Sequence, residues 1–412
     1  MMMRSHPVKQ SSFHALRVSL AFGVALSCFY FSGSTAAQVR PPQATLNPGI
    51  DYQMPPSGAV SVPAEGGLIF QATIDGKGPI KGMFDTGAGV NVVSADLARK
   101  LGLKLDAQQM ALGTSSPAKV QVHKAHVETL QIGDLKLRNQ TFYVIDMPDE
   151  TGAPSFVIGY ELLRRFAVRI DYDEQRLTFF DGSQFHYSGH GIGVPLRIQD
   201  NALLVQASIE SASGWFQLDS GNESGTNMHT DFTVKNNLLK AFSPHLLAYN
   251  GRGFAGPSPQ AYLARVNDMR IGDIPAPSFV GHFSTDSSDK NDLAGLMGQD
   301  ILRHFTEVFD CVRGKVYFET TKESARQEVF NRAGLVFDSF GHGLQVMTVL
   351  PGSPGAQAGI ETGDLITGID GKMPDDEINQ PAFLKPPGTQ LRLILQHGSE
   401  TRKVIVTLRD VL

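Results

Sequence analysis

The chain repeats itself, and an internal repeat limits the fold more than any bulk property does. The stretch QATIDGKGPIKGMFDTGAG from Gln71 is answered by QASIESASGWFQLDSGNE from Gln206. Each reads as an alternating strand, a turn, a second strand, then an acid followed by a small hydroxyl residue and a glycine. The two acids, Asp85 and Asp219, stand 134 residues apart. Further on, QIGDLKL at Gln131 is matched by RIGDIPA at Arg270, an offset of 139. At that same offset VIGYELLRRFAVRIDYDEQRLTFF from Val157 aligns with LMGQDILRHFTEVFDCVRGKVYFE from Leu296. Gly159/Gly298, Leu163/Leu302, Arg164/Arg303, Phe166/Phe305 and Asp171/Asp310 are identical pairs. Elements matching in one order mark a duplicated lobe.

The offset grows between the acid and the IGD strand. That interval holds LGTSSPAKVQV in the first copy and AYNGRGFAGPSPQAYLARV in the second. Both place turn residues between extended segments, so each predicts a projecting hairpin. YELLRRF has helical spacing and predicts one short helix per lobe, the rest being strand and turn.

A chain of 412 residues exceeds one ordinary core, so two or three domains are expected. With 19% charged and 41% hydrophobic residues it is a folded protein, and 42 Gly and 23 Pro suit many short strands. Residues 1–37 read as an export signal: Arg4, Lys9 and Arg17, the apolar run VSLAFGVALSCFYF, then small residues before a cut near Ala37. An uncleaved anchor is the less favoured alternative, and Ala25 and Leu26 fit poorly with a lipid on Cys28. Removing the signal strips three positive charges and no acid, taking the net charge from −5 to −8. That balance gives no electrostatic reason to bind nucleic acid or anionic lipid. Cys311 is then the only cysteine, read as a buried small hydrophobe with no disulfide.

Two acids on twin corners can share one proton. Like charges that close cannot both ionise, so one pKa rises and the other falls, and aspartic proteases are the general example. The ionised member takes a proton from water while the protonated one polarises a carbonyl, without metal or cofactor. Gly87 and Gly221 allow close approach, and Thr86 and Ser220 offer hydroxyls that can bond across to the opposite loop.

Hydrophobic-Asp-Thr/Ser-Gly, followed downstream by hydrophobic-hydrophobic-Gly and a short helix, resembles the retropepsin-type aspartic peptidase family over roughly residues 63 to 322. The resemblance implies a mainly β fold with two duplicated acid-protease β-barrel-like lobes. It implies Asp85 and Asp219 as the catalytic pair, supported by Thr86, Gly87, Ser220 and Gly221, beneath two flaps and a peptide cleft. A chain carrying both acids is expected to act as a monomer. Ala88 and Asn222 stand where pepsin-like members tend to carry a hydroxyl that stabilises the ionised acid. The departure implies an optimum nearer weakly acidic or neutral pH. A flap tyrosine has no obvious counterpart, although Tyr249 and Tyr262 lie in the right region.

After the polar, helical-looking connector TTKESARQE, the sequence GLQVMTVLPGSPGAQAGIETGDLITGIDGK (343–372) resembles a PDZ domain over about residues 327 to 412. The resemblance implies peptide capture by strand addition, with Gly334, Leu335, Val336 and Phe337 as the loop that holds a peptide C-terminus or an internal segment. Val336 departs from the family's Gly-Leu-Gly-Phe and argues against tight carboxylate capture.

Other candidates have plainer readings. His123/His126 and His186/His190 lack a third ligand at metal spacing, and DYDEQ at Asp171 reads as a hairpin turn. NESG near Ser224 lacks a nucleophile elbow, and GHGIG at Gly189 reads as a linker between lobes. The expected plan is a signal peptide (1–37), a linker (38–62), lobe one (63–187), lobe two (188–322) and the PDZ domain (327–412). The expected function is an exported endopeptidase, periplasmic or secreted, acting on protein or peptide substrates, with a PDZ domain that recruits peptides or regulates the cleft. The alternative is an inactive peptide-binding scaffold.

Overall fold

A computed structural model describes residues 51–113, 119–147, 153–242, 246–248, 252–253, 256–257, 260–287, 292–322, 324, 328–340, 343–374 and 382–412. The expected signal segment with Cys28 lies outside the described residues, as do Tyr249, residues 114–118 of the first expected hairpin and residues 325–327 of the connector.

The fold is mainly β. Lobe one is an eight-stranded sheet in which Leu135–Ile145 also pairs with Lys119–Ile132, closing the sheet on itself. Its strands alternate as their sequences require: in Ile69–Ile74, Phe70, Ala72 and Ile74 are buried while Gln71 is exposed. Phe70 and Phe142 each meet Phe156 edge-on in the core.

Lobe two repeats this wiring. Lys77–Phe84 runs parallel to Phe156–Ile158, with Phe84 opposite Ile158, and Ala212–Leu218 runs parallel to Gly295–Met297, with Leu218 opposite Met297. In each lobe a short strand, Val92–Ser94 or Asn227–Met228, pairs antiparallel with the second of these and parallel with an outer strand. The duplication read from residues is therefore also a duplication of hydrogen-bonded topology.

The expected helices form at Tyr160–Leu163 and Gln299–Leu302. The expectation of one helix per lobe needs correction, because Ala95–Leu101, Thr230–Lys235 and Leu238–Ala241 are helical too. Local chemistry explains the first of these. Ser94 Oγ accepts from Leu97 N, Asp96 occupies the first turn, and Arg99 and Lys100 occupy the last. Residues 51–62, expected as the end of a linker, are built into the sheets: Tyr52–Gln53 pairs with Leu137 and Lys136, and Ala59–Pro63 pairs with Arg176–Phe180.

A six-stranded sheet joins the lobes, in the order Ile192–Pro195, Lys315–Thr320, Phe305–Asp310, Phe166–Asp171, Arg176–Asp181, Ala59–Pro63. At its centre Val168, Arg169 and Ile170 oppose Phe309, Val308 and Glu307. Val168, Ile170 and Phe309 point into the core shared by the lobes. The stretch read as a linker around Gly189 thus leads straight into an edge strand.

The C-terminal region is a separate five-stranded sheet: Leu335–Phe340, Gly343–Val349, Leu365–Ile369, Gln390–His397, Glu400–Thr407. Strand, Pro-Gly turn and the short helix Pro354–Gln357 follow in the expected order, with Ser353 capping the helix. Asp364 is fully buried and accepts from Glu361 N, His397 Nδ1 and Arg402 Nη2, which accounts for an acid at that turn. Among the described residues no helix is long and apolar enough to cross a membrane.

Candidate active site

Each acid is delivered by the end of one strand and fixed by the next. Asp85 N donates to Ile158 O at 2.9 Å, and Asp219 N donates to Met297 O at 3.0 Å. The corners then turn alike, with Ala88 N on Asp85 O and Asn222 N on Asp219 O. Tyr160 N reaches Ala88 O, and Gln299 N reaches Asn222 O, both at 2.9 Å.

The corners meet face to face. Thr86 N donates to Ser220 Oγ (3.0 Å), Ser220 N to Thr86 Oγ1 (2.9 Å), and Thr86 Oγ1 to Leu218 O (2.9 Å). The hydroxyls expected to bond across the lobes do so. Gly87 N donates to Asp85 Oδ1 at 2.7 Å, while Gly221 N lies 3.1 Å from both Asp85 Oδ1 and Asp219 Oδ1. One N–H thus touches both carboxylates, and both acids are fully buried.

Burial raises the Asp85 carboxyl to about 6, against the lowering effect of the Gly87 N–H, the Asp219 side chain and the Gly221 N–H. One acid that keeps its proton beside another is the arrangement that acid–base chemistry on a bound water requires. Among the described residues no group of His, Cys, Asp and Glu is placed to hold a metal ion.

The departures at Ala88 and Asn222 have a local explanation in one lobe. Asn222 turns away from the acids: its Nδ2 donates to Gly225 O, and its Oδ1 accepts from Ser224 N and Oγ. It builds the turn after the corner and stabilises no carboxylate. Tyr262, on Ala261–Val266, packs against the main core. Gly334, Leu335, Val336 and Phe337 belong to the separate C-terminal module. Leu335 is in that module's core, Phe337 packs beside Phe383, and Val336 faces lobe two.

Residues that the sequence reading passed over also bear on the site. Gln217 Nε2 donates to Gly87 O at 3.3 Å, and Gln299 Nε2 donates to Ser220 O at 2.6 Å. The repeat carried the signal, for their lobe-one counterparts are Met83 and Tyr160: one copy is polar where the other is not. Glu223, four residues past Asp219, is raised to about 8 by burial, moderated by Arg303.

Beneath the corners, Glu307 is fully buried, and neither of its oxygens has a hydrogen-bond partner among the described residues. Cross-strand from Ile170, it shares a sheet face with Tyr172, whose buried hydroxyl is also unpartnered there. Burial pushes the Glu307 carboxyl well above its ordinary 4.5. The folded state therefore holds a proton that the unfolded chain releases, so stability falls as pH climbs above about 4.5. Glu307→Gln is expected to flatten the decline in Tm between pH 5 and pH 8, read by thermal denaturation of the two proteins side by side. An unchanged slope would mean that Glu307 is not a proton store.

Comparison with known proteins agrees with the two halves of this picture. Residues 70–162 match the family model described as aspartyl protease, and residues 345–397 match that of the PDZ domain. A curated relative, the serine protease HTRA1 of Xenopus tropicalis, is 30% identical over 69 residues. That is 17% of this chain, which spans only 15% of that protein's length. Among solved structures, an aspartic proteinase from Irpex lacteus aligns at 15% identity and TM-score 0.44, covering 65% of this chain and 99% of that one. The photosystem II D1 C-terminal processing protease aligns at 26% identity and TM-score 0.18, covering 19% and 23%. The aspartyl protease match stops in lobe one, and lobe two is tied to it by the repeated residues and the repeated contacts at the corner. The chain thus carries an aspartyl protease segment over residues 70–162 and a PDZ domain segment over residues 345–397.

Proposed function

We propose that this chain is an exported aspartic endopeptidase in which Asp85 and Asp219 activate a water against a peptide carbonyl. The observation that carries the reading is the single Gly221 N–H within 3.1 Å of both carboxylates, in a site where burial keeps Asp85 protonated up to about pH 6. Asp219 in its ionised form takes the proton from water, and protonated Asp85 donates to the carbonyl oxygen. The roles reverse as the tetrahedral intermediate collapses and the amine leaves with a proton. Thr86, Gly87, Ser220 and Gly221 hold the acids in register and take no proton themselves. The PDZ segment binds extended peptide, and the mature chain acts as a monomer because both acids are its own.

The test is cleavage of a diverse peptide mixture by residues 38–412, followed by mass spectrometry from pH 3 to pH 8. The dyad works with one shared proton. The rate therefore falls at low pH as the second acid protonates, and falls again as pH rises through about 6, where Asp85 loses its proton. A weakly acidic optimum is expected. A folded chain that cuts nothing across this range would leave the scaffold reading in its place.

A further inference from the structure

The strand Ala261–Val266 is a wall with two occupied faces. Tyr262, Ala264 and Val266 point into the main core. Alternation turns Leu263 and Arg265 the other way, and there they meet the C-terminal module. Leu263, with Val280 and Ala248 from the neighbouring strands, forms an apolar cluster with Leu350, Val336 and Phe330. Leu350 has no exposed surface, yet it lies outside the module's own core, so contact with lobe two is what buries it.

Polar contacts fix the same joint. Arg265 Nη1 donates to Glu328 O at 2.8 Å, and Val280 N donates to Glu328 Oε2 at 3.3 Å. Arg303 faces the Glu328 carboxylate at 3.8 Å. The residue that spoils the PDZ-like loop pattern therefore has work elsewhere: Val336 is the side chain by which that loop rests on lobe two.

Val336 lies on Leu335–Phe340, one of the two edge strands of the five-stranded sheet. Peptides join PDZ-like sheets by adding to such an edge. From the joint, a hydrogen-bonded ladder runs inward. Phe279–Ser284 pairs with Asn227–Met228, that strand pairs with Gly295–Met297, and Met297 O holds Asp219 N. Three strands separate the underside of the peptide edge from one of the two acids.

We propose that the C-terminal module regulates the cleft through this joint. An extended peptide added along Leu335–Phe340 shifts Val336 and Leu350 against Ala261–Val266 and Phe279–Ser284 and alters the setting of Asp219. The effect on cleavage rests on the peptidase reading, whereas the mechanical linkage does not.

Hydrogen–deuterium exchange on the mature chain reads that linkage without catalysis. The probe is an equimolar set of decapeptides ending in free Leu, Val, Ile or Phe. Binding is expected to protect 335–340 and, with it, to change exchange in 261–266 and 279–284. Val336→Asp is expected to speed exchange in those lobe-two strands at rest and to remove their response to peptide. Protection confined to 335–340, no protection there at all, or lobe-two strands indifferent to Val336→Asp would each overturn the proposal. Cleavage measured in parallel is expected to change about five-fold on peptide addition. Linked exchange in a chain that cleaves nothing would sink the peptidase reading and leave the linkage standing.

Discussion

Asp219→Asn, with Asp85 intact, is expected to lower kcat/KM on a cleaved peptide by at least about 1,000-fold, and Asp85→Asn by a similar factor. The two losses should be alike because the proposed dyad shares one proton between its acids. An amide at either position can neither take the proton from water nor return one to the leaving amine. The double variant should fall little further, since members of a unit do not contribute additively. The fold should survive both changes. The amide oxygen that replaces Asp85 Oδ1 still accepts from Gly87 N and Gly221 N, and a buried group prone to charge is gone. Unchanged or raised Tm with lost cleavage is the expected pair of results. A well-folded variant that keeps a tenth of the rate would remove that acid from the chemistry.

Gly221→Ala and Gly87→Ala are expected to be nearly as damaging, for a steric reason. A methyl group on Gly221 would sit 2.5 Å from Asp85 Cγ, and one on Gly87 would overlap Asp219 Oδ1. The corners face each other so closely that each glycine's missing side chain is the space occupied by the opposite carboxylate. The added methyl must push the acids apart and break the shared contact at Gly221 N. Activity should fall by at least about 100-fold, the scale associated with displacing a positioned catalytic group by about 1 Å. Stability should fall by about 1–3 kcal/mol, as overpacking does. Denaturant unfolding measures the second effect and a single-substrate assay the first. An alanine variant with wild-type kcat/KM would show that the acids do not work at this separation.

The duplication was legible because the elements that build the site are the ones that repeat: the acid corner, the glycine strand and the short helix that follows. Their partners in space were legible only in part. Thr86 and Ser220 could be read as cross-lobe hydroxyls from the pairing of the corners. For Gln217 and Gln299 the repeat marks only that one copy is polar where the other is not, and nothing in it says which polar side chain reaches into the other lobe. The helix at Ala95–Leu101 was missed although Ser94 and Asp96 mark its start, since it is only seven residues long and lies amid strand sequence. Glu307 carries no signal of its own in the sequence. Its burial follows from the two lobes closing over a common sheet, a contact between residues more than a hundred positions apart. Val336 was read against a motif as a defect in ligand capture, and its contact with lobe two depends on domain placement that no local pattern records.

The sheet that joins the lobes is close to symmetric, with three strands from each half and a central antiparallel pair where the halves meet. Each half contributes an edge strand, a hairpin and one side of the seam, as two copies of a smaller ancestor would on assembling. The covalent link between residues 182 and 191 then carries little of the burden of keeping the acids opposed. A proteolytic nick there would leave two fragments that remain associated and in register, and the two fragments expressed separately would be candidates for a complementation pair.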